Sequence, residues 1–122
     1  MPIHHDMLGA QLESTERVFP PIANQALGAN SCSAHENVVI AGATIPLHKH
    51  AVEEVIVCLA GNAECSFNGG EAEPYGAGSV VIIPSNTPHT IRNTGGTELR
   101  QLSFFAGPQP GTEWLQDPGS VI

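Results

Sequence analysis

The sequence predicts an all-β fold built as one small barrel, and three observations indicate this. Thirteen Gly and ten Pro separate short apolar runs, a pattern typical of turn-rich β structure rather than of disorder. Hydrophobic residues make up 41% of the chain, so there is enough apolar material for a core between those turns. The 122 residues fit one domain, and they show no internal repeat or linker.

Composition argues against several functional classes. The net charge is −8, and the four Lys and Arg residues form no basic cluster, which argues against binding nucleic acids or anionic membranes. No apolar run reaches the roughly 18 residues of a membrane span, and no signal peptide is expected at the N-terminus. Three cysteines without Cys-x-x-Cys spacing favour a reducing, cytoplasmic setting.

The N-terminal part, residues 1–30, is predicted to be an arm with short strands. His4 and His5 are adjacent, so in a strand they would face opposite ways and could not both serve one site. Residues 35–42 form the first clear strand. His35 is interpreted as a surface residue, with an outer-sphere role near a metal ion as the alternative.

The next strand, residues 43–50, carries two candidate metal ligands. His48 and His50 are two residues apart, so their side chains share one face of the strand. Glu54 has the same parity, but a continuous strand would place it roughly 20 Å from His48, at about 3.3 Å per residue. Because all ligands must lie about 2 Å from one ion, the chain must turn between His50 and Glu54 if Glu54 joins the site.

Two cysteines are predicted on one inner wall of the barrel. Residues 55–60 and 63–67 are strands, and Gly61-Asn62 between them fits a two-residue hairpin turn. In that register Cys58 lies opposite Cys65. Both are interpreted as small apolar packing residues.

Residues 80–83 form a fully apolar run, as expected for a strand that is buried on both faces or lies in a subunit contact. Pro84 ends this strand. Pro84 and Pro88 stiffen the loop that delivers His89, which lowers the entropy cost of holding a ligand in place.

The last long strand, residues 98–105, has two possible orientations. Because an isolated buried Arg is costly, we expect Gln101, Ser103 and Phe105 to face inward and Arg100 outward. With the opposite orientation, Arg100 would be a clamp for a substrate carboxylate. In the tail, residues 112–116 could form one helical turn with Trp114 as a packing anchor.

Two segments of the chain resemble the two sequence motifs of the cupin superfamily. Residues 42–61 match G-x5-H-x-H-x3-E-x6-G at every fixed position, and residues 78–93 match G-x5-P-x-G-x2-H-x3-N with one departure. The departure is Asn86 in place of Gly, and Asn tolerates the left-handed conformation of such a turn better than most residues. The sixteen residues between the motifs fit the short spacer of small single-domain cupins.

The resemblance implies an antiparallel double-stranded β-helix, or jelly-roll barrel, over residues 31–108, with residues 109–122 as a tail that packs on it. It assigns one divalent metal ion to His48, His50, Glu54 and His89. Three imidazoles and one carboxylate suit Fe, Mn, Ni, Zn or Cu. The further pocket-lining residues are predicted to be Ile56, Cys58, Gln101 and Phe105. Small cupins often pair through outer barrel faces, so a homodimer is expected.

Cupins catalyse many reactions, so the resemblance does not select one. The predicted interior holds mostly apolar groups and thiols, which favours metal-centred chemistry on a small oxygenated molecule. An oxidoreductase of the dioxygenase type is the first hypothesis, and an isomerase, cyclase or lyase is the next. The alternative is a non-catalytic cupin that binds a small molecule or a metal. A seed-storage-like structural role fits less well, because the full ligand set is present.

Overall fold

The computed structural model describes residues 1–119, and these form strands and loops without a helix. The all-β prediction is confirmed. The strands are β1 (Arg17–Val18), β2 (Pro21–Ala23), β3 (Ser33–Val39), β4 (Thr44–Lys49), β5 (Glu54–Ala60), β6 (Asn62–Phe67), β7 (Glu73–Gly76), β8 (Val80–Ile83), β9 (His89–Asn93), β10 (Leu99–Phe105) and β11 (Glu113–Trp114).

The strands form two antiparallel sheets that enclose the core. The first sheet has the order β1-β3-β10-β5-β8, with β2 also paired to β3, and the second has the order β11-β4-β9-β6-β7. Most consecutive strands from β3 to β11 lie in opposite sheets, so the chain crosses between the sheets at most of its turns. This is the predicted double-stranded β-helix, and it places the ends of distant strands side by side.

The core lies between the inward faces of the two sheets. Along β10 the side chains alternate, and Gln101, Ser103 and Phe105 are all buried. Their predicted inward orientation is therefore confirmed. The buried apolar cluster that fills the barrel is Val39, Ala43, Ile45, Ile56, Cys58, Ala63, Cys65, Ile83, Ile91 and Leu99.

The outer face of the first sheet holds the N-terminal arm. Arg100 points outward, as predicted, and its guanidinium lies 3.7 Å from the Glu36 carboxylate. Glu36 also accepts hydrogen bonds from the backbone N–H groups of Gly9 and Ala10. β1 and β2 pair with β3 as well. The arm is therefore attached by strand pairing and by one buried carboxylate, although the division at residue 30 stays a prediction.

The predicted hairpin at Gly61-Asn62 is wrong. β5 belongs to the first sheet and β6 to the second, so Cys58 and Cys65 are not cross-strand partners. Gly61 adopts φ +96° in the structure. A glycine with positive φ fits a hairpin turn and a corner between two sheets equally well, so the sequence does not distinguish the two. Both cysteines are buried in the interior. Burial raises the pKa of the Cys65 thiol to about 12, which keeps it protonated and suits the predicted packing role.

The predicted helical turn at residues 112–116 is also wrong. Glu113–Trp114 is a strand that pairs antiparallel with β4, with Trp114 opposite His48. Backbone N–H groups of Leu115 and Gln116 both donate to the carbonyl of Leu47. The edge of β4 supplies these backbone partners, and a single helical turn has too few internal hydrogen bonds to compete. Residues 120–122 of the predicted tail lie outside the described residues.

β8 lies at the edge of the first sheet, and only one of its faces is buried. The prediction that residues 80–83 are buried on both faces is therefore wrong. Ile83 is buried, whereas Val80 and Ile82 are 56% and 60% exposed. Apolar side chains on both faces of an edge strand leave one row facing solvent. The subunit-contact alternative for residues 80–83 stays a prediction.

Residues 1–119 include no helix with the length and hydropathy that a membrane span requires.

Candidate metal centre

Two of the predicted ligands meet across one strand pair of the second sheet. β4 and β9 are antiparallel, and His48 on β4 is the direct partner of His89, the first residue of β9. Their ring centroids are 4.2 Å apart. His50, just past the end of β4, adds a third ring 5.1 Å from His48. Residues more than 35 positions apart in the chain are thus brought into contact by register alone.

The fourth residue comes from the opposite sheet. The chain leaves the second sheet after His50 and enters the first sheet at Glu54, which confirms the predicted turn between them. Glu54 Oε1 lies 3.5 Å from His50 Nε2 and 3.4 Å from His89 Nε2. One donor atom from each of His48, His50, Glu54 and His89 falls within 4.8 Å of the other three.

Backbone carbonyls fix the orientation of all three imidazoles. His48 Nδ1 lies 2.7 Å from the Pro46 carbonyl, and His89 Nδ1 lies 2.8 Å from that of Thr87. His50 Nδ1 lies 2.7 Å from the carbonyl of Gly111 in the C-terminal segment. A carbonyl only accepts, so each Nδ1 carries the proton and donates it. Each Nε2 then presents a lone pair to the centre, which is the arrangement that metal-binding histidines use.

The residues present fit a divalent metal ion. Glu54 Oε1 and His89 Nε2 are buried and lack a hydrogen-bond partner among the described residues, and such orphans are costly unless an ion satisfies them. Three neutral imidazoles and one carboxylate are borderline donors that suit first-row transition metals. The four side chains are all buried, so they need little rearrangement to bind. The centre therefore supports one divalent metal ion as the cofactor.

Electrostatics keep this group in the protonation state that a metal requires. Burial, and next the neighbouring His89, lower the pKa of His48 to about 4 from its ordinary 6.5. Burial alone would raise the pKa of Glu54, but the nearby His89, His50 and Ser103 side chains outweigh it and lower that pKa. At neutral pH, His48 is therefore neutral and Glu54 ionised.

We expect the metal-free protein to lose stability as the pH falls from about 6.5 to about 4. In this range the unfolded chain protonates His48 while the folded protein does not, which costs folding up to roughly 3 kcal/mol. Urea unfolding at a series of pH values should show the loss, and His48→Gln should flatten it. A wild-type stability that stays constant across this range would contradict the assignment.

A cavity of about 310 Å³ opens beside the four residues. Its apolar walls are Phe19, Ile45, Ile91 and Trp114, and its polar lining apart from the four residues is His35, Asn37 and Thr112. The volume is at the lower end of the range for small-molecule sites. The arrangement can hold a small molecule beside the four candidate ligands.

His35 differs from its interpretation as a surface residue. Its ring packs between Phe19 and Phe105, with centroid distances of 5.8 Å and 5.1 Å. Burial lowers the pKa of His35, and the Glu54 carboxylate offsets part of this shift. His35 lines the same cavity as the four candidate ligands, and its outer-sphere role stays a prediction. Strand parity places His35 and Asn37 on one face of β3, but it does not say whether that face points inward.

The predicted pocket residues Ile56, Cys58, Gln101 and Phe105 are all buried inside the barrel. None of the four is among the side chains that line the cavity at the metal centre. Phe105 contacts the ring of His50 at 4.7 Å, and Gln101 accepts a hydrogen bond from the Tyr75 hydroxyl at 2.8 Å. Phe105 therefore supports one of the candidate ligands through direct ring contact.

The loop before His89 has the predicted backbone. Asn86 adopts φ +58°, the left-handed conformation expected at the position of the motif glycine. Its backbone N–H donates to the carbonyl of His50 at 2.7 Å. This one hydrogen bond links the loop that carries His89 to the strand that carries His48 and His50.

Fold and site together define a metal-binding protein of the cupin class. A family model described as "Cupin domain" matches residues 36–105, which is more than half of the chain. The chain therefore belongs to the cupin family.

Relatives and solved structures agree with this class. Auxin-binding protein 1 of Arabidopsis thaliana is 35% identical over 55% of this chain and 38% of its own length. Dimethylsulfoniopropionate lyase DddQ of Ruegeria pomeroyi is 36% identical over 52% of this chain and 32% of its own. The crystal structure of that lyase has a TM-score of 0.65 at 28% identity, covering 75% of this chain and 46% of that one. This chain thus spans roughly a third of the length of these curated relatives.

A protein with a double-stranded β-helix domain from Klebsiella pneumoniae matches almost end to end. Its crystal structure has a TM-score of 0.77 and covers 88% of this chain and 86% of that one, at 17% identity. This similarity shows the fold alone.

Proposed function

We propose that this cupin is a metal-dependent enzyme acting on a small oxygenated organic molecule, with His48, His50, Glu54 and His89 as the metal ligands. The observation that carries the proposal is the convergence of these four buried donors at the wall of a 310 Å³ cavity. A closed structural metal site would not need a cavity at its open side. When bound, the metal supplies redox or Lewis-acid chemistry to an oxygen-containing ligand.

The chain's own residues perform the remaining tasks. The apolar walls exclude water and hold the carbon skeleton of the substrate. Carbonyls of Pro46, Thr87 and Gly111 keep the three imidazoles oriented. Trp114 lies 5.0 Å from His48 and closes the cavity on the side of the C-terminal segment.

A dioxygenase is the reaction class we propose first. The cavity lining offers no Asp or Glu besides Glu54 among the described residues, so the walls contribute few acids or bases. Chemistry that the metal centre performs with O2 depends least on such groups.

The test is to measure metal after purification without chelator and then to load the protein with Fe(II) or Zn(II). Small diketones, keto acids and catechols are screened for oxygen uptake and for products. We expect Fe(II)-dependent oxygen uptake that is absent from His50→Ala and kept in His5→Ala, whose His lies in the exposed N-terminal arm. No turnover by any metal form would contradict an enzyme and favour a binding protein.

A lyase, isomerase or cyclase that works without O2 is the second candidate. Similarity to a dimethylsulfoniopropionate lyase favours it, and so does the presence of His35 in the cavity, where an imidazole could move a proton. Product formation by the Zn(II) form under nitrogen would select this class. The non-catalytic alternative has its own support in the similarity to an auxin-binding protein.

We further propose a homodimer that forms through the outer face of the first sheet. Across β8, β5 and β10, two cross-strand rows are apolar: Ile82, Val55 and Phe104 in one, and Val80, Val57 and Leu102 in the other. Ile82 and Phe104 are 60% and 42% exposed, and a contiguous apolar patch of this kind marks an interaction site. The free thiols of Cys32, Cys58 and Cys65 support a cytoplasmic setting for this assembly.

We expect Ile82→Asp to weaken the dimer at least about tenfold, because the carboxylate would be buried without a partner. Light scattering after size-exclusion chromatography measures the mass. The matched control is Thr90→Asp, which adds the same charge to β9 in the second sheet. A monomeric wild type, or an Ile82→Asp variant that stays fully dimeric, would contradict this interface.

A further inference from the structure

The cavity has a polar corner that the metal centre does not use. His35 and Asn37 lie two residues apart on β3, with their side chains on the inward face. Their strand partners are Ser103 and Gln101 on β10. This corner, defined by His35 and Asn37, is therefore built on the central part of the first sheet, whereas three of the four metal ligands come from the second.

Two polar atoms of the corner lack a partner. His35 Nδ1 and Asn37 Oδ1 are buried, and no hydrogen bond of normal length and angle joins either atom to the described residues. The Asn37 side chain is nevertheless close enough to His35 to raise its pKa, which places the two groups side by side. Asn37 is 3% exposed, and its Nδ2 donates to the Ser103 hydroxyl at 2.8 Å, which fixes the amide and points Oδ1 elsewhere. His35 is held between two phenylalanine rings, so its orientation is fixed as well. Buried polar groups of native proteins are normally satisfied, so a ligand atom is the natural partner.

The net charge of the cavity limits how many negative charges the ligand can carry. A divalent ion and the Glu54 carboxylate leave one net positive charge. The described residues that line the cavity include no Lys or Arg. One anionic group on the ligand would therefore neutralise the site, but a second carboxylate would be buried without a countercharge, which is costly.

We propose that the His35–Asn37 corner binds a neutral hydroxyl of the substrate that does not bind the metal, and that the substrate carries no more than one negative charge. A hydroxyl is the smallest group that both donates and accepts, so it can donate to Asn37 Oδ1 while it pairs with His35 Nδ1. The substrate class is then a small monoanionic or neutral metal chelator with an apolar body and one hydroxyl that does not bind the metal. This inference rests on the proposed function, since it assumes that the substrate binds the metal.

A matched series of ligands tests the corner without any need for turnover. Benzohydroxamate is a monoanionic oxygen chelator, and its 3-hydroxy, 4-hydroxy, 3-carboxy and 4-carboxy derivatives differ only in the distal group. Calorimetric titration of the zinc-loaded protein gives each dissociation constant, with zinc content measured before and after. We expect one hydroxy derivative to bind between about three- and tenfold tighter than benzohydroxamate, and both carboxy derivatives to bind at least about tenfold more weakly.

Two variants separate the corner from the rest of the site. His35→Phe keeps a ring between Phe19 and Phe105 but removes both nitrogens, and Asn37→Ser removes the orphaned Oδ1. Each should lose the preference for the hydroxy derivative, measured within the same variant as the ratio of its dissociation constant to that of benzohydroxamate. The wild-type series alone is decisive if either variant fails to fold.

The outcomes distinguish this inference from the proposed function. If benzohydroxamate binds the zinc-loaded wild type but neither hydroxy derivative binds tighter, the corner proposal is overturned and the metal-dependent function stands. Tight binding of a carboxy derivative, or a hydroxyl preference that survives in both variants, overturns it equally. If zinc is loaded but no hydroxamate binds, ligand binding at the metal fails, and both proposals fail with it.

Discussion

His89→Ala should abolish tight metal binding while leaving the barrel folded. His89 is fully buried, is the strand partner of His48, and lies 3.4 Å from the Glu54 carboxylate. Losing a group that merely orients a ligand lowers metal affinity by about 10- to 100-fold, so losing the ligand itself should exceed about 100-fold. Equilibrium dialysis against Zn(II), with metal measured by elemental analysis, gives the affinity.

The control for this prediction is His5→Ala, which removes an imidazole from the exposed arm. Thermal unfolding provides a second readout, because a ligand present at about 100 times its dissociation constant stabilises the folded state by about 2.7 kcal/mol. Zn(II) should raise the melting temperature of the wild type and of His5→Ala but not of His89→Ala. Equal metal affinity in all three proteins would contradict the assignment of His89 as a metal ligand.

Gly61→Ala should destabilise the fold by about 2 to 5 kcal/mol. Gly61 adopts φ +96° at the corner where the chain passes from β5 to β6. A Cβ there would meet the Glu98 carbonyl oxygen at 2.9 Å and the Leu99 Cα at 3.1 Å, and both are backbone atoms that cannot rotate away. The left-handed conformation costs about 1–2 kcal/mol for a residue with a Cβ, and overpacking costs about 1–3 kcal/mol more. Urea denaturation measures the free energy of unfolding.

Gly42→Ala is the matched control for the clash. Gly42 has φ +80°, but a Cβ built there meets nothing within 4 Å. Its substitution should therefore cost only the conformational part, about 1–2 kcal/mol. If both variants lose the same stability, the contact with residues 98 and 99 contributes nothing. If Gly61→Ala is as stable as the wild type, the corner geometry itself is refuted.

Part of the metal centre follows from strand parity, whereas the inclusion of His89 was implied by the resemblance to the cupin motifs. His48 and His50 share a face by the two-residue period, and Glu54 could reach them only through a turn, which the structure contains. The inward orientation of Gln101 was predicted from the cost of burying Arg100, and Gln101 is buried in the structure.

The wrong predictions concern segments whose local sequence is compatible with more than one tertiary structure. A Gly-Asn pair between two strands fits a hairpin, but the same positive φ at Gly61 also serves a corner between sheets. The residues around Trp114 show no hydrophobic periodicity that predicts a strand. The segment becomes a strand because it pairs with the free edge of β4. Each of these outcomes depends on a neighbouring element that no window of sequence contains.

His35 illustrates the same limit within the site. A single His on a strand gives no indication of whether the other sheet covers it. Here the two phenylalanines beside its ring come from residues 19 and 105, near the two ends of the fold. The polar corner that it forms with Asn37 therefore became visible only in three dimensions.

The most direct test of the account is X-ray absorption at the zinc edge of the loaded protein. The coordination shell should hold only nitrogen and oxygen at about 2.0–2.2 Å, with the outer-shell scattering of three imidazole rings. His89→Ala should remove one ring from that signal in any zinc that remains. A sulfur neighbour at about 2.3 Å, which would place Cys58 or Cys65 on the metal, or a shell without imidazole scattering, would contradict the proposed centre.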